Sequence, residues 1–144
     1  RTAGTSLAGQ VVGSGIIVDV SKHFSQILEL NKEEGWVRVQ PGVIRDELNL
    51  FLKPYGLFFG PETSTANRAM IGGMVGNNAC GSNSVVYRST REHLLEVKAF
   101  LSDGSEAMFH RFQRMHFMIN VSSIRWKAIF TKRYDRSSAT TITS

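Results

Sequence analysis

The chain has 144 residues, 42% hydrophobic and 20% charged, enough for one ordinary domain with a real core. No apolar run reaches the length of a membrane span. The single cysteine, Cys80, excludes an internal disulfide and any cysteine-held metal cluster within this chain. The net charge of +5 is unevenly placed. Residues 1–109 hold ten Lys/Arg against eleven Asp/Glu, whereas residues 110–144 hold seven Lys/Arg against one acid, Asp135. The body is therefore neutral, and a polyanion-binding function would rest on the tail alone. The chain starts at Arg1 rather than Met, so we expect a fragment, and targeting is not read from its N-terminus. His23, His93, His110 and His116 stand at no metal-ligand spacing, so no metal site is expected.

Taken in order, the chain opens on the small-residue loop Arg1-Thr2-Ala3-Gly4-Thr5-Ser6-Leu7-Ala8-Gly9-Gln10. Successive backbone N–H groups in such a loop can form a nest for an anion, with the Thr5 and Ser6 hydroxyls adding donors. No Walker Gly-Lys-Ser/Thr follows and GxGxxG is absent. A plain surface loop is the competing reading. The β-branched run Gly15–Val20 predicts a buried strand. Gln26–Leu30 and Trp36–Gln40, joined by the polar loop Asn31–Gly35, predict a β-hairpin. Pro41-Gly42 breaks the second strand, and Val43–Lys53 predicts a helix. Its apolar stripe is Ile44, Leu48, Phe51 and Leu52, with Asp46 and Glu47 early and Lys53 last. Pro54 and Gly56 end it.

Leu57-Phe58-Phe59 reads as a short strand running into the hydroxyl cluster Gly60-Pro61-Glu62-Thr63-Ser64-Thr65. Next comes Ile71-Gly72-Gly73-Met74-Val75-Gly76-Asn77-Asn78-Ala79-Cys80-Gly81. Glycines let a backbone approach a ligand closely, and paired amides donate and accept at a flat, polar-edged one. An ordinary Gly/Asn-rich turn is the alternative. Leu94–Leu101 then predicts a strand, Ser102-Asp103-Gly104-Ser105 a hairpin turn, and Glu106–Phe109 the start of a further strand.

Three of these blocks, in order and spacing, resemble the FAD-binding (PCMH-type) domain shared by p-cresol methylhydroxylase and vanillyl-alcohol oxidase. Arg1–Gln10 resembles its pyrophosphate loop, Gly60–Thr65 its second flavin-lining segment, and Ile71–Gly81 its third. Leu94–Leu101 with Asp103-Gly104 is similar to the following hairpin. The likeness is nearest to FAD-linked D-lactate, glycolate and D-2-hydroxyacid dehydrogenases, including long forms fused to iron–sulfur modules.

The resemblance implies an α+β fold: an incomplete FAD-binding PCMH-type domain over residues 1–109, holding the end of one subdomain and the start of the next. It implies FAD as cofactor, a small 2-hydroxy acid as substrate, and hydride transfer to the flavin. The cofactor-binding residues it implies are Ala3, Gly4, Thr5, Ser6, Leu7, Gly9 and Gln10 in the first block. Pro61, Ser64 and Thr65 follow in the second, and Ile71, Gly72, Gly73, Asn77, Asn78 and Gly81 in the third. No catalytic residue can be assigned, because a substrate domain is not part of this stretch. The first loop has no histidine, so FAD is expected to be non-covalent. Thr2 and Arg88 stand where relatives usually have glycine, and Cys80 reads as a small neutral filler. The resemblance leaves the electron acceptor unknown, an iron–sulfur module of the full-length protein being one candidate, and it implies a cytoplasmic or membrane-peripheral location.

The resemblance stops near Phe109. From His110 to Ser144 there is no glycine or proline, although all thirteen glycines and three prolines precede it. This shift predicts a changed reading frame or a broken gene. Two other readings stand beside the enzyme: an inactive flavin-binding fragment, and a nucleic-acid-binding protein driven by the basic tail, which the neutral body disfavours.

Overall fold

The structure, a computed structural model, describes residues 1–110, 124–129 and 131–132. Its fold is α+β, as the sequence predicts. The strands are β1 (Ile27–Asn31), β2 (Trp36–Val39), β3 (Leu57–Phe58), β4 (Leu94–Phe100), β5 (Glu106–His110), β6 (Ile124–Ile129) and β7 (Thr131–Lys132). The helices are α1 (Arg45–Leu52), α2 (Ile71–Gly76) and α3 (Ser84–Tyr87). Five strands form one antiparallel sheet in the order β1-β2-β6-β4-β5, and β3 pairs with β7 in a second.

The β1–β2 hairpin forms as expected, for a local reason. Asn31 Oδ1 accepts the backbone N–H groups of Glu33 and Glu34 at 3.1 and 3.0 Å, and the Gly35 N–H donates to the Asn31 carbonyl at 2.9 Å. The side-chain oxygen thus satisfies loop donors that the ladder leaves unpaired. The β4–β5 hairpin is closed in the same way: Asp103 Oδ1 accepts from Ser105 N–H and Oγ–H. Those bonds hold the Asp103 carboxyl below the usual carboxylate range.

Alternation along the strands divides the sheet into two faces. Val37 and Val39 of β2 and Val97 and Ala99 of β4 point into one core. Leu48 and Leu52 of α1 and Ile71 and Met74 of α2 join them, with Val43, Leu57, Phe59 and Ala69. The intervening residues are charged. Arg38 bonds Glu29 at 2.8 Å and lies 3.7 Å from Glu96, and Lys98 pairs with Glu106. These partly exposed pairs contribute little each and fix register more than stability.

Two expectations are corrected. Gly15–Val20 is not a strand: Ile16 is 97% exposed, and Val20 alone in the run is buried. A strand exists only through its ladder. Among the described residues the backbone partner here is Arg1, whose carbonyl accepts the Val20 N–H at 3.0 Å and whose terminal nitrogen donates to the Val18 carbonyl. The second correction concerns α1, which starts at Arg45 rather than Val43. Ile44 is extended (φ −76°, ψ 135°) and forms a β-bridge to Met70. Leu48 and Leu52 are buried, but Phe51 stays 39% exposed.

The expected change of frame covers residues 110–144, most of which lie outside the described residues. The described part supplies the end of β5, the whole of β6 and β7. β6 runs between β2 and β4, so the backbone of residues 124–129 joins the two hairpins into one sheet.

Candidate functional site

The N-terminal end of α1 organises the site. Pro41-Gly42 turns the chain out of β2, and the segments that follow α1 return to it. The Ala69 carbonyl accepts from Arg45 N–H at 2.9 Å, and the Val43 carbonyl accepts from Ile71 N–H at 2.9 Å. Arg45 Nε donates to the Pro61 carbonyl at 3.1 Å. From the other end of the helix, the Asn49 amide accepts from Phe59 N–H at 2.7 Å and donates to the Phe59 carbonyl at 3.2 Å. Both later blocks are therefore tied to one helix.

α2 is an unexpected element, because three of its six residues are glycine and glycine is a poor helix former. Tertiary contacts override the propensity. Ile71 and Met74 are buried in the core, and Gly72 N–H donates to the Pro41 carbonyl at 2.8 Å. A Cβ on Gly72 would stand 2.6 Å from Pro41 Cβ, and one on Gly73 would stand 2.4 Å from Thr2 Oγ1. The glycines let the helix backbone press against the turn on one side and the first loop on the other.

Between these elements lies one cavity of about 570 Å³, the size class of a small-molecule site. Of the residues singled out from sequence, Gly4, Thr5, Ser6, Leu7 and Gln10 line it from the first block. Ser64 and Thr65 line it from the second, and Gly72, Gly73 and Asn77 from the third. The other six lie off its wall. Ala3 and Gly9 belong to the same loop as the first five. Pro61 is fully buried beneath Arg45, and Ile71 is in the core. Gly81 packs on the Glu62 carbonyl, 2.4 Å from where its Cβ would be. Asn78 takes a left-handed conformation (φ 47°), and its Oδ1 accepts the Arg91 N–H at 3.0 Å. These last residues brace the wall.

Sequence reasoning missed several lining residues, among them Arg1, Thr2, Pro41, Thr63, Met70 and Met74. Arg1, Thr2 and Thr63 lay inside quoted blocks and could have been included. Met74 lay inside the third block as well, whereas Pro41 and Met70 carried no local signal. They reach the wall because α2 packs on the turn after β2.

Among the described residues the lining is rich in donors and has no carboxylate. Hydroxyls come from Thr2, Thr5, Ser6, Thr63, Ser64 and Thr65, amides from Gln10 and Asn77, and the one charged side chain is that of Arg1. Gly4 has φ +69°, a left-handed conformation of the kind that anion-binding nests contain. The chemistry suits a ligand with an anionic section and a flat polar section. Among the described residues no cluster of three His, Cys, Asp or Glu could hold a metal.

The turn before β4 is a second brace. Thr90 is buried and donates through Oγ1 and N to the Ala79 carbonyl, at 2.6 and 3.1 Å. Ser89 and Glu92 form a reciprocal capping box, and the Ser89 hydroxyl holds the Glu92 carboxyl below its ordinary range. Between that box and Tyr87 sits Arg88, at φ 62° and ψ −165°, a region that normally only glycine occupies. Its neighbours hold it there. His93 Nε2 donates to the Tyr87 carbonyl, and the Tyr87 ring stands edge-on to Phe58 with centroids 5.1 Å apart. Relief of about 1–3 kcal/mol of strain exceeds the entropic cost of adding a glycine. Arg88→Gly is therefore expected to stabilise the chain by about 1 kcal/mol. A lowered or unchanged urea midpoint for this variant would show that Arg88 is unstrained.

An antiparallel sheet backed by short helices, with three Gly- and hydroxyl-rich segments around one cavity that no carboxylate of the described residues lines, fits a nucleotide-cofactor-binding module. Comparison with known proteins gives the family. The profile described as "FAD binding domain" matches residues 1–107, so the chain belongs to the FAD-binding domain family, and FAD is its cofactor. Among curated relatives, D-2-hydroxyglutarate dehydrogenase of Escherichia coli (strain K12) is 54% identical over 104 residues, 72% of this chain and 10% of the relative. The mitochondrial D-lactate dehydrogenase [cytochrome] of Kluyveromyces lactis is 35% identical over 108 residues, covering 72% of this chain and 18% of the relative. A glycolate oxidase subunit of Bacillus subtilis is 33% identical over 105 residues, covering 72% and 22%. The chain thus spans about a tenth to a fifth of the length of these relatives. Among solved structures, alkyldihydroxyacetonephosphate synthase shares the fold with a TM-score of 0.74 at 13% identity, over 92% of this chain and 26% of that one.

Proposed function

We propose that this chain is the FAD-holding portion of an enzyme that oxidises a small 2-hydroxy acid. The observation that carries the reading is the convergence of three separated blocks on one donor-rich cavity, in a chain 54% identical to a D-2-hydroxyglutarate dehydrogenase. When bound, FAD supplies the two-electron acceptor for oxidation of an alcohol carbon. The chain's own residues bind and orient. Gly4 to Gln10 offer N–H and hydroxyl donors to the diphosphate, and Ser64 and Thr65 flank the flavin and ribityl section. Gly72 and Gly73 keep the α2 backbone close to the cofactor, and Asn77 offers an amide at its edge. Residues of the longer protein would grip the substrate and take its proton. An iron–sulfur module there would accept the electrons. Among the described residues, no helix is long and apolar enough to cross a membrane.

Non-covalent binding is part of the reading. Among the described residues, neither a histidine nor Cys80 lines the cavity, which supports it. The test is to purify the chain, saturate it with FAD and pass it through a desalting column. Retained yellow flavin, released in full into the supernatant by acid, is the expected result. A colourless chain after FAD addition refutes cofactor binding by this portion, and flavin that stays with the precipitate refutes the non-covalent mode.

A further inference from the structure

We infer that the basic tail works as a strand and not as a polyanion-binding arm: residues 124–129 close the slot between β2 and β4 and thereby hold the turn that carries the cavity wall. The family profile matches residues 1–107, so β6 lies beyond it. Its backbone nevertheless has a partner on both sides, antiparallel to β2 and to β4. The register agrees with the sequence. Trp126 stands opposite Val39 on one side and Val97 on the other, Ala128 opposite Val37 and Leu94, and Ile124 opposite Ala99. Each of those partners belongs to the core or packs against it. Arg125 and Lys127 take the alternate register positions, opposite Lys98 and between Arg38 and Glu96, the charged residues of β2 and β4. A slip of one residue would exchange the two sets. The apolar–basic alternation of Ile124-Arg125-Trp126-Lys127-Ala128 therefore specifies this register over its neighbours. A nucleic-acid arm makes no such demand, because its affinity comes from positive charge and not from the order of apolar residues between the charges.

The consequence reaches the cavity through β2. With the slot empty, the inner edges of β2 and β4 would carry unpaired N–H and C=O groups, and the two hairpins would share no ladder. β2 ends at Val39, and two residues on the Pro41 carbonyl accepts the Gly72 N–H at 2.8 Å. Pro41, Gly72 and Gly73 all line the cavity. A β2 held by β1 on one edge and by β6 on the other fixes the turn against which α2 packs. The tail thus acts on the cofactor wall from a distance, as a positioning element and not as a contact.

The test combines hydrogen exchange, urea denaturation and FAD retention on the full chain. In the native chain the amides of residues 124–129 should be as protected as those of β2 and β4. Ala128→Pro removes a backbone donor from the middle of the sheet. It should lose protection in β2 and β4, lower the urea midpoint and reduce the retained FAD. The double variant Arg125→Gln with Lys127→Gln removes two positive charges and keeps the alternation, so all three readouts should stay at their native values. Amides of 124–129 that exchange as freely as an unfolded chain, beside a protected β2 and β4, overturn the inference. So does protection that arises only on adding duplex DNA, or a loss in the glutamine double variant equal to that in Ala128→Pro. Either result would make charge the working property of the tail. A native chain that binds no FAD refutes the cofactor reading, and the exchange of the 124–129 amides still decides this inference.

Discussion

Gly72→Ala is expected to destabilise the protein by about 3 kcal/mol and to weaken FAD binding with it. The added methyl would meet Pro41 Cβ at 2.6 Å, its carbonyl oxygen at 3.0 Å and its Cα at 3.1 Å. None of these atoms can swing away. The proline ring fixes its own backbone, and the next residue is held by the Gly42 N–H bond to the Phe24 carbonyl at 2.7 Å. Relief would require α2 to lift off the turn, breaking the Gly72–Pro41 hydrogen bond and opening the core around Ile71. The intrinsic preference of a helix for alanine, about 1 kcal/mol, opposes the loss and is too small to cancel it. Gly76→Ala is the control, since nothing stands within 4 Å of its Cβ position and only the propensity gain should remain. Urea denaturation of both variants decides the matter. Equal midpoints for Gly72→Ala and the native chain would refute the close packing of α2 on Pro41.

Asn49→Leu is expected to cost about 2–4 kcal/mol, although the two side chains are nearly the same size. The substitution leaves both the N–H and the carbonyl of Phe59 without the amide that now bonds them, beside a ring that is 1% exposed. A buried backbone group without a partner carries its desolvation cost in full, about 1–3 kcal/mol each. Asn49→Asp, which keeps the acceptor for Phe59 N–H and loses the donor, should fall between. The consequence reaches the cavity, because Phe59 leads through Gly60 and Pro61 to Thr63, Ser64 and Thr65. Hydrogen exchange at the Phe59 amide provides a local readout and should speed up in the leucine variant. A change in stability below about 0.5 kcal/mol, with exchange at Phe59 unaltered, would show that water already satisfies these groups.

The elements that could be read in advance are those whose cause is local. The β1–β2 hairpin follows from strand patterning and from Asn31 and Gly35, which complete the turn within five residues. The Asp103-Gly104 turn is of the same kind. α1 was legible from Leu48 and Leu52, with Asp46 and Glu47 at its start and Pro54 after it. That parts of the three Gly- and hydroxyl-rich blocks meet at one cavity follows local composition, because a backbone that passes close to another group needs glycines.

What failed had a distant cause. Ile16, Ile17 and Val18 have strand chemistry, but a strand requires a ladder, and here the described partner is Arg1 alone. α2 has the composition of a loop and is a helix, because Pro41, thirty residues earlier, packs where a side chain would otherwise be. The insertion of β6 between β2 and β4 is likewise a matter of long-range pairing that no window of sequence contains.

By itself, then, the sequence determined the local turns, the α1 stripe and the glycine and hydroxyl content of the three cavity blocks, since each depends on residues within a few positions of one another. Only the tertiary structure decided which donors face one cavity and which brace it from behind. Asn77 lines the wall, whereas Asn78, its neighbour, takes a left-handed backbone conformation and accepts the Arg91 N–H instead. Adjacent residues of the same type thereby acquire different roles, a difference set by packing and not by composition.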